Sequence, residues 1–288
     1  MSNEITQKQE KLLAQFLKGK EILKPLNTGW VDSHVCCIRE YGVNLYFYTR
    51  GGRTIMIDAG YNYDRLEEKM SWLDLKPEDI QDILLTHVDG DHVGALEKDS
   101  PQLFSHARVY LGAVENRYLT GEKRRKIFKK YTLPQVSIGN PVTLLEDEQV
   151  FRIGDIQIEA LLVRGHTWGH MVYLIDNSYL FAGDAIWLGP DGGYSFVNVL
   201  AEDSHLAKCS LKVLKYRLDD RKVQPKILTA HSGWTDDLDF AFAHSQEACN
   251  GFRRQKPHDP RAPENVLDES GDTEQAARTQ KLPKQMRL

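Results

Sequence analysis

The chain has 288 residues and a formal net charge of −4, enough length for one large α/β domain or two small ones and ample for a real core. So small a charge gives no global argument for nucleic acid or an anionic membrane as a partner. Hydrophobic content is 41%, ordinary for a soluble globular protein, and no apolar run approaches the roughly 18 residues of a membrane span.

The first ten residues are polar and lack the apolar core of a secretory signal, so a cytoplasmic location is expected. Residues 6–24 carry Leu12, Leu13, Phe16, Leu17 and Ile22 among Lys, Gln and Glu. That spacing predicts an amphipathic helix on the outside of the domain, ended by Pro25. Cys36, Cys37, Cys209 and Cys249 form no CxxC pair and read as reduced, mostly buried thiols. Val43 to Thr49 and Thr54 to Ile57, joined through Arg50-Gly51-Gly52, read as a β-hairpin. It ends in Asp58-Ala59-Gly60, where Asp58 is either a functional residue past a buried strand or a turn residue.

Asp64 to Leu75 has helical periodicity. The apolar run Ile83-Leu84-Leu85 then reads as a buried strand. Four metal-capable side chains follow it within six residues: His87, Asp89, Asp91 and His92. Clustered imidazole and carboxylate at a strand end are costly unless compensated, and Zn, Mn or Fe is the usual compensation. The plainer reading makes Asp89 or Asp91 an N-cap for the next helix. Arg108 to Leu111 is another strand, with a helix from Ala113. The basic run Lys123 to Lys126 with Lys129 and Lys130 reads as a solvated face, or as a patch or lid for an anionic substrate.

From Val142 the strands come closer together: Val142 to Leu145, Gln149 to Ile153, Ile156 to Val163, Met171 to Ile175 and Tyr179 to Phe181. Two polar loops interrupt them, Gly165-His166-Thr167-Trp168-Gly169-His170 and Gly183-Asp184-Ala185. A helix is predicted over Asp203 to Leu218, a strand over Lys226 to Thr229 ending at Ala230-His231-Ser232-Gly233, and a last helix over about Leu238 to Phe252. Gly189 to Gly193 reads as a flexible loop able to close over a substrate. Trp168, Trp187, Tyr194 and Phe196 line an apolar pocket or serve as packing. These limits give a single domain over 1–252, with 1–29 as an N-terminal helical segment, and a polar, flexible tail over 253–288 or an arm against a partner.

Five strand ends thus carry metal-capable or turn residues: Asp58, His87 to His92, His166, Asp184 and His231. Taken in order, His-x-Asp-x-Asp-His-x-Gly, Gly-His-Thr-x-Gly-His, Gly-Asp and Ala-His-Ser-Gly resemble the metallo-β-lactamase-fold hydrolase superfamily, over about residues 30–252. The resemblance implies an α/β fold, an αβ/βα four-layer sandwich of two mixed sheets packed face to face with helices outside. It implies two divalent metal ions at one sandwich edge, with zinc first and Mn or Fe as alternatives. His87, Asp89 and His166 would hold the first metal; Asp91, His92 and His231 the second; Asp184 would bridge both. Asp58 would orient a ligand, and His170 would be structural. Most of the superfamily has His where this chain has Asp89, and one branch carries Asp.

Two metals about 3.5 Å apart can share a water and lower its pKa towards 7, giving a bridging hydroxide. With Asp91 and Asp184 as the catalytic carboxylates, the resemblance implies hydrolysis of a small-molecule ester, lactone, thioester or amide. The other classes open to such a chain are a di-iron oxidoreductase, a phosphodiesterase or nuclease, and a non-catalytic metal-binding protein. No nucleic-acid or membrane partner is expected, and the residues do not specify an oligomeric state.

Overall fold

Alternating side chains in the first hairpin point to two different cores. Tyr46, Tyr48, Ile55 and Ile57 face one way; Leu45, Phe47 and Met56 face the other; all are buried. A sheet whose two faces are both apolar must be covered on both. A computed structural model shows how, and it describes residues 20–61, 63–128, 131–249, 252–254, 269 and 271–279.

Two sheets result. The first has seven strands in the order Val142–Leu145, Arg108–Gly112, Asp82–Leu84, Arg53–Ile57, Val43–Arg50, Val35–Glu40 and Gly29–Trp30. The second has six, in the order Gln149–Ile153, Ile156–Leu162, Met171–Ile175, Tyr179–Phe181, Lys226–Thr229 and Gly233–Thr235. Both mix parallel and antiparallel pairs. Their inner faces meet through Tyr46, Tyr48, Ile55 and Tyr110 from one side and Ile158, Tyr173, Ile175 and Phe181 from the other. Outside the first sheet lies the helix Leu66–Trp72, which buries Leu66, Met70 and Trp72. Outside the second lies Ser204–Asp220, which buries Leu211, Leu214 and Leu218. Asp203 caps this second helix by accepting from His205 N and Leu206 N. The result is the four-layer αβ/βα sandwich.

Several elements differ from the sequence reading. The predicted helix over 6–24 falls largely outside the described residues. Its last part, Lys20–Leu23, is a strand paired in parallel with Phe252–Arg254. The last helix stops at Phe242, and His244–Ala248 forms a strand beside Gly192–Ser195. The Gly189–Gly193 stretch is the turn of an antiparallel hairpin, with Trp187 opposite Tyr194. Most of the tail beyond Arg254 lies outside the described residues. Asp272, however, is buried, and the helix Glu274–Thr279 seats Ala277 in the core outside the first sheet. Among the described residues no helix is long and apolar enough to cross a membrane.

Candidate metal centre

The parallel strands Arg53–Ile57 and Asp82–Leu84 end side by side, so the residues just past them meet. Asp58 turns out of its strand at φ 59°, in the left-handed region. Its carboxylate accepts from Thr86 N at 2.8 Å, from Thr86 Oγ1 at 2.9 Å and from His92 Nδ1 at 2.9 Å. With its own hydrogen given to Asp58, Thr86 Oγ1 accepts from His87 Nδ1 at 3.0 Å. On the other sheet, His231 Nδ1 donates to the carbonyl of Gly42 at 2.7 Å. Three imidazoles therefore have Nδ1–H satisfied by an acceptor, which leaves the lone pair of each Nε2 directed into the space between the loops.

His87, Asp89, Asp91, His92, His166, Asp184 and His231 all converge on that space. Three overlapping groups form there, His87/Asp89/His166, His87/His92/Asp184 and Asp91/His92/His231, with the ligand atoms of each group within 4.8 Å of one another. His166 Nε2 lies 2.8 Å from His87 Nε2 and 3.1 Å from Asp89 Oδ2. His231 Nε2 lies 3.1 Å from Asp184 Oδ1 and 3.5 Å from Asp91 Oδ2. Asp184 faces both sides, with Oδ1 at 3.2 Å from His92 Nε2 and Oδ2 at 3.8 Å from His166 Nε2.

A test of fit comes from the buried polar atoms. His92 Nε2 and Asp184 Oδ1 are both buried and make no hydrogen bond among the described residues. Atoms of this kind normally find a partner, and a donor set of neutral imidazole and carboxylate suits a divalent cation. The residues fit the group. The protons agree. Burial pulls His92 down, but Asp184, Asp91 and Asp58 more than offset it and hold the imidazole well above its ordinary value. Burial opposes ionisation of Asp184, yet His231 and His92 keep its carboxyl well below the usual range. His87 is held well below its ordinary value by burial and by His92 and His166. This buried cluster of acids and imidazoles presents its charge to one point.

His170 stands outside all three groups. Its Nε2 accepts from Asp184 N at 3.2 Å, so it steadies the loop that carries the shared carboxylate. Gly183, at φ 49°, has no room for a side chain there, since a Cβ would meet Thr86 Oγ1 at 2.7 Å and His170 Nε2 at 2.8 Å. Trp187 and Phe196 are buried against the imidazoles, Trp187 stacked on His231 at 4.6 Å and Phe196 3.9 Å from His166. They are packing behind these two imidazoles. Asp89 occupies the N-cap position of the short helix Gly90–Val93, but its side chain makes no capping bond.

Two residues at this site escape sequence reasoning. Glu115 is buried, with Oε1 accepting from Val88 N at 3.0 Å and Oε2 accepting from Thr167 Oγ1 at 2.7 Å and Gly169 N at 3.1 Å. It ties the His87 loop to the His166 loop. The second is Arg125. The basic run reads as a solvated face, yet Arg125 is buried and turned inward onto Asp89. One carboxylate near a helix start and one arginine among four consecutive basic residues carry no spacing that would mark them.

A family model described as the metallo-beta-lactamase superfamily matches residues 38–239. A protein named a probable polyketide biosynthesis zinc-dependent hydrolase in Bacillus velezensis is 31% identical over 133 residues, 46% of this chain and 49% of that one. An atrochrysone carboxyl ACP thioesterase of Aspergillus fumigatus is 27% identical over 147 residues, 50% of this chain and 40% of that one. The chain thus spans about half the length of these curated relatives, or less. A solved subclass B3 metallo-beta-lactamase with an active-site glutamic acid superposes with a TM-score of 0.56 at 19% identity, covering 77% of this chain and 87% of that one, a likeness of fold. With 202 residues of matched sequence (38 to 239) carrying every residue of the convergent site, the chain belongs to the metallo-beta-lactamase superfamily.

Proposed function

We propose that this chain is a hydrolase that uses two divalent metal ions, zinc first, to cleave an acyl bond in a small molecule, with thioesters ahead of esters, lactones and amides. His87, Asp89 and His166 would hold one ion, Asp91, His92 and His231 the other, and Asp184 would serve both. The observation that carries this is Asp184: one buried carboxylate has its two oxygens turned to two different imidazole clusters. Ions bound there would supply a Lewis acid for the substrate carbonyl and a water made nucleophilic at neutral pH.

The remaining work falls to the chain's own residues. Asp58 and Gly42 O fix the imidazoles at Nδ1, so that their Nε2 atoms need no rearrangement on loading. Asp91 is the most exposed of the carboxylates in the set, with 24% of its side chain open, so it can pass a proton to a departing group while the others stay dry. Tyr61 is exposed, and its hydroxyl feels the charge of Asp91 and Asp184. It packs edge-on against the exposed Tyr41 with ring centroids 5.9 Å apart, an apolar surface suited to an acyl chain beside the polar site. The thioester preference is supported by the name of the Aspergillus relative alone.

The test is a panel of acyl thioesters, esters, lactones and amides assayed with zinc and after chelation, with Asp184→Ala as control. The proposal expects thioester turnover that chelation abolishes, that added metal restores, and that Asp184→Ala lowers by at least about 100-fold. Turnover indifferent to chelation, or equal in Asp184→Ala, would refute it.

A further inference from the structure

We propose that Arg125 makes the two metal positions unequal, so that the His87/Asp89/His166 position binds its ion much more weakly than the Asp91/His92/His231 position and fills only when metal is abundant. This rests on the two-metal reading above and adds an order of loading to it.

The observation is a contrast between ligands. His87, His92 and His231 each present Nδ1 to an oxygen that accepts its hydrogen. Such partners leave Nε2 unprotonated and raise its basicity, the arrangement that favours a metal. His166 has the opposite neighbour. Its Nδ1 faces Nη2 of Arg125 at 3.5 Å. A guanidinium has five N–H donors and no acceptor. Both hydrogens of Nη2 go elsewhere, to Asp89 Oδ2 and Leu200 O, so the guanidinium acts on Nδ1 through its charge: a cation there favours a lone pair over an N–H and leaves the hydrogen on Nε2, the atom turned towards the other residues of the group. The metal-free contacts suit that tautomer, since Nε2 can donate to His87 Nε2 at 2.8 Å or to Asp89 Oδ2 at 3.1 Å.

Arg125 acts on Asp89 as well. Its Nε reaches Oδ1 at 2.7 Å and its Nη2 reaches Oδ2 at 2.9 Å, a two-pronged fork that takes up both oxygens. Asp89 is the only anion that belongs to the first position alone, so its charge is already matched before any ion arrives. The arginine cannot easily swing away. Only 6% of its side chain is exposed, Nη1 donates to Lys126 O at 2.8 Å, and Nη2 donates to Leu200 O at 2.9 Å. Two of the first position's three private ligands are thus engaged by a fixed cation that a second cation must face. No residue plays this part in the second position, where Asp91 has no arginine partner among the described residues.

Partners in a ligand's outer shell change metal affinity by about 10- to 100-fold. The same argument gives the sign of a substitution. Without Arg125, the buried Asp89 carboxylate has no cation to match it, and a metal ion becomes its natural counter-charge. Removing the arginine should tighten the first position.

The experiment is a zinc titration of the full chain against a chromophoric chelator, repeated with cobalt so that the absorbance reports each step, with folding checked by circular dichroism. The expected result is two steps separated by about 100-fold or more. His231→Ala should remove the tight step, and His166→Ala only the weak one. Arg125→Gln should tighten the weak step by about 10-fold or more and leave the tight step unmoved. Arg125→Lys keeps the charge and should leave the weak step weak, which also guards against a Gln variant that fails to fold. Two equal steps in the unmodified chain, or a weak step that Arg125→Gln leaves alone or loosens, would overturn the inference while leaving the two-metal reading intact. A single equivalent at every zinc concentration would overturn that reading, and the inference with it.

Discussion

Asp58 orients two imidazoles, one directly and one through Thr86, while its own oxygens stay out of the metal-facing groups. Its removal should act on both: Asp58→Ala is expected to weaken metal binding by about 10- to 100-fold, measured by chelator competition. Glu115 works at one remove more, by joining two loops. Burial pushes its carboxyl up to about 8, against the lowering effect of Thr167 and Val88. A carboxyl whose folded value exceeds its ordinary 4.5 stabilises the fold fully at low pH, and that contribution is lost as pH rises through about 8. Metal-free protein should therefore lose stability between roughly pH 5 and 8, and Glu115→Gln should flatten that slope in denaturant titrations. Parallel profiles for the two proteins would contradict this role. The same substitution sets an amide N–H against donors already in place and should cost about 1–3 kcal/mol near pH 8. At this scale the residues that converge were readable because His and Asp recur at tight spacing after apolar runs. Glu115 and Arg125 were not, because the partners that draw them into the site lie 27 to 75 residues away in sequence.

Strands and long helices were visible as periods of two and of about 3.6, and the helix predicted over Asp203 to Leu218 is found at Ser204–Asp220 with Asp203 as its cap. The elements that failed are those whose form depends on a distant partner. Lys20–Leu23 is a strand because Phe252–Arg254 pairs with it, and His244–Ala248 because Gly192–Ser195 does. The strap near the C-terminus is the plainest case. Lys69, on the helix Leu66–Trp72, is fully buried, and its Nζ meets Asp272 at 2.7 Å, Glu269 at 3.1 Å and Arg39 O at 2.6 Å. Asp272 also accepts from Thr28 Oγ1 at 2.9 Å. A lysine among charged neighbours and an acid in a polar tail reveal nothing of this to composition. Removing Asp272 leaves Lys69 with Glu269 as its remaining anion and the Thr28 hydroxyl without its acceptor, so Asp272→Ala should lower stability by about 1–3 kcal/mol in urea unfolding. A loss under about 1 kcal/mol would show that the strap is not held by this pair.

For the whole molecule, two halves of strands followed by helices place five loops at one edge of the sandwich, and that convergence is what residues far apart in sequence cannot display until both sheets exist. The order of the motifs nevertheless carried the family and its four-layer fold, because each motif sits where a strand must stop. The joint between the sheets is itself part of the site: Tyr173 OH donates to Leu85 O at 2.6 Å and Met171 N to Thr86 O at 2.8 Å. Metal that binds the folded chain and not the unfolded one must stabilise it by mass action, so zinc should raise the unfolding temperature and chelation lower it. The most direct test of the account is the number of metal ions per chain, measured by elemental analysis after equilibrium dialysis against saturating zinc. The account predicts two, falling in Asp184→Ala; folded protein that binds none under the same conditions would contradict it.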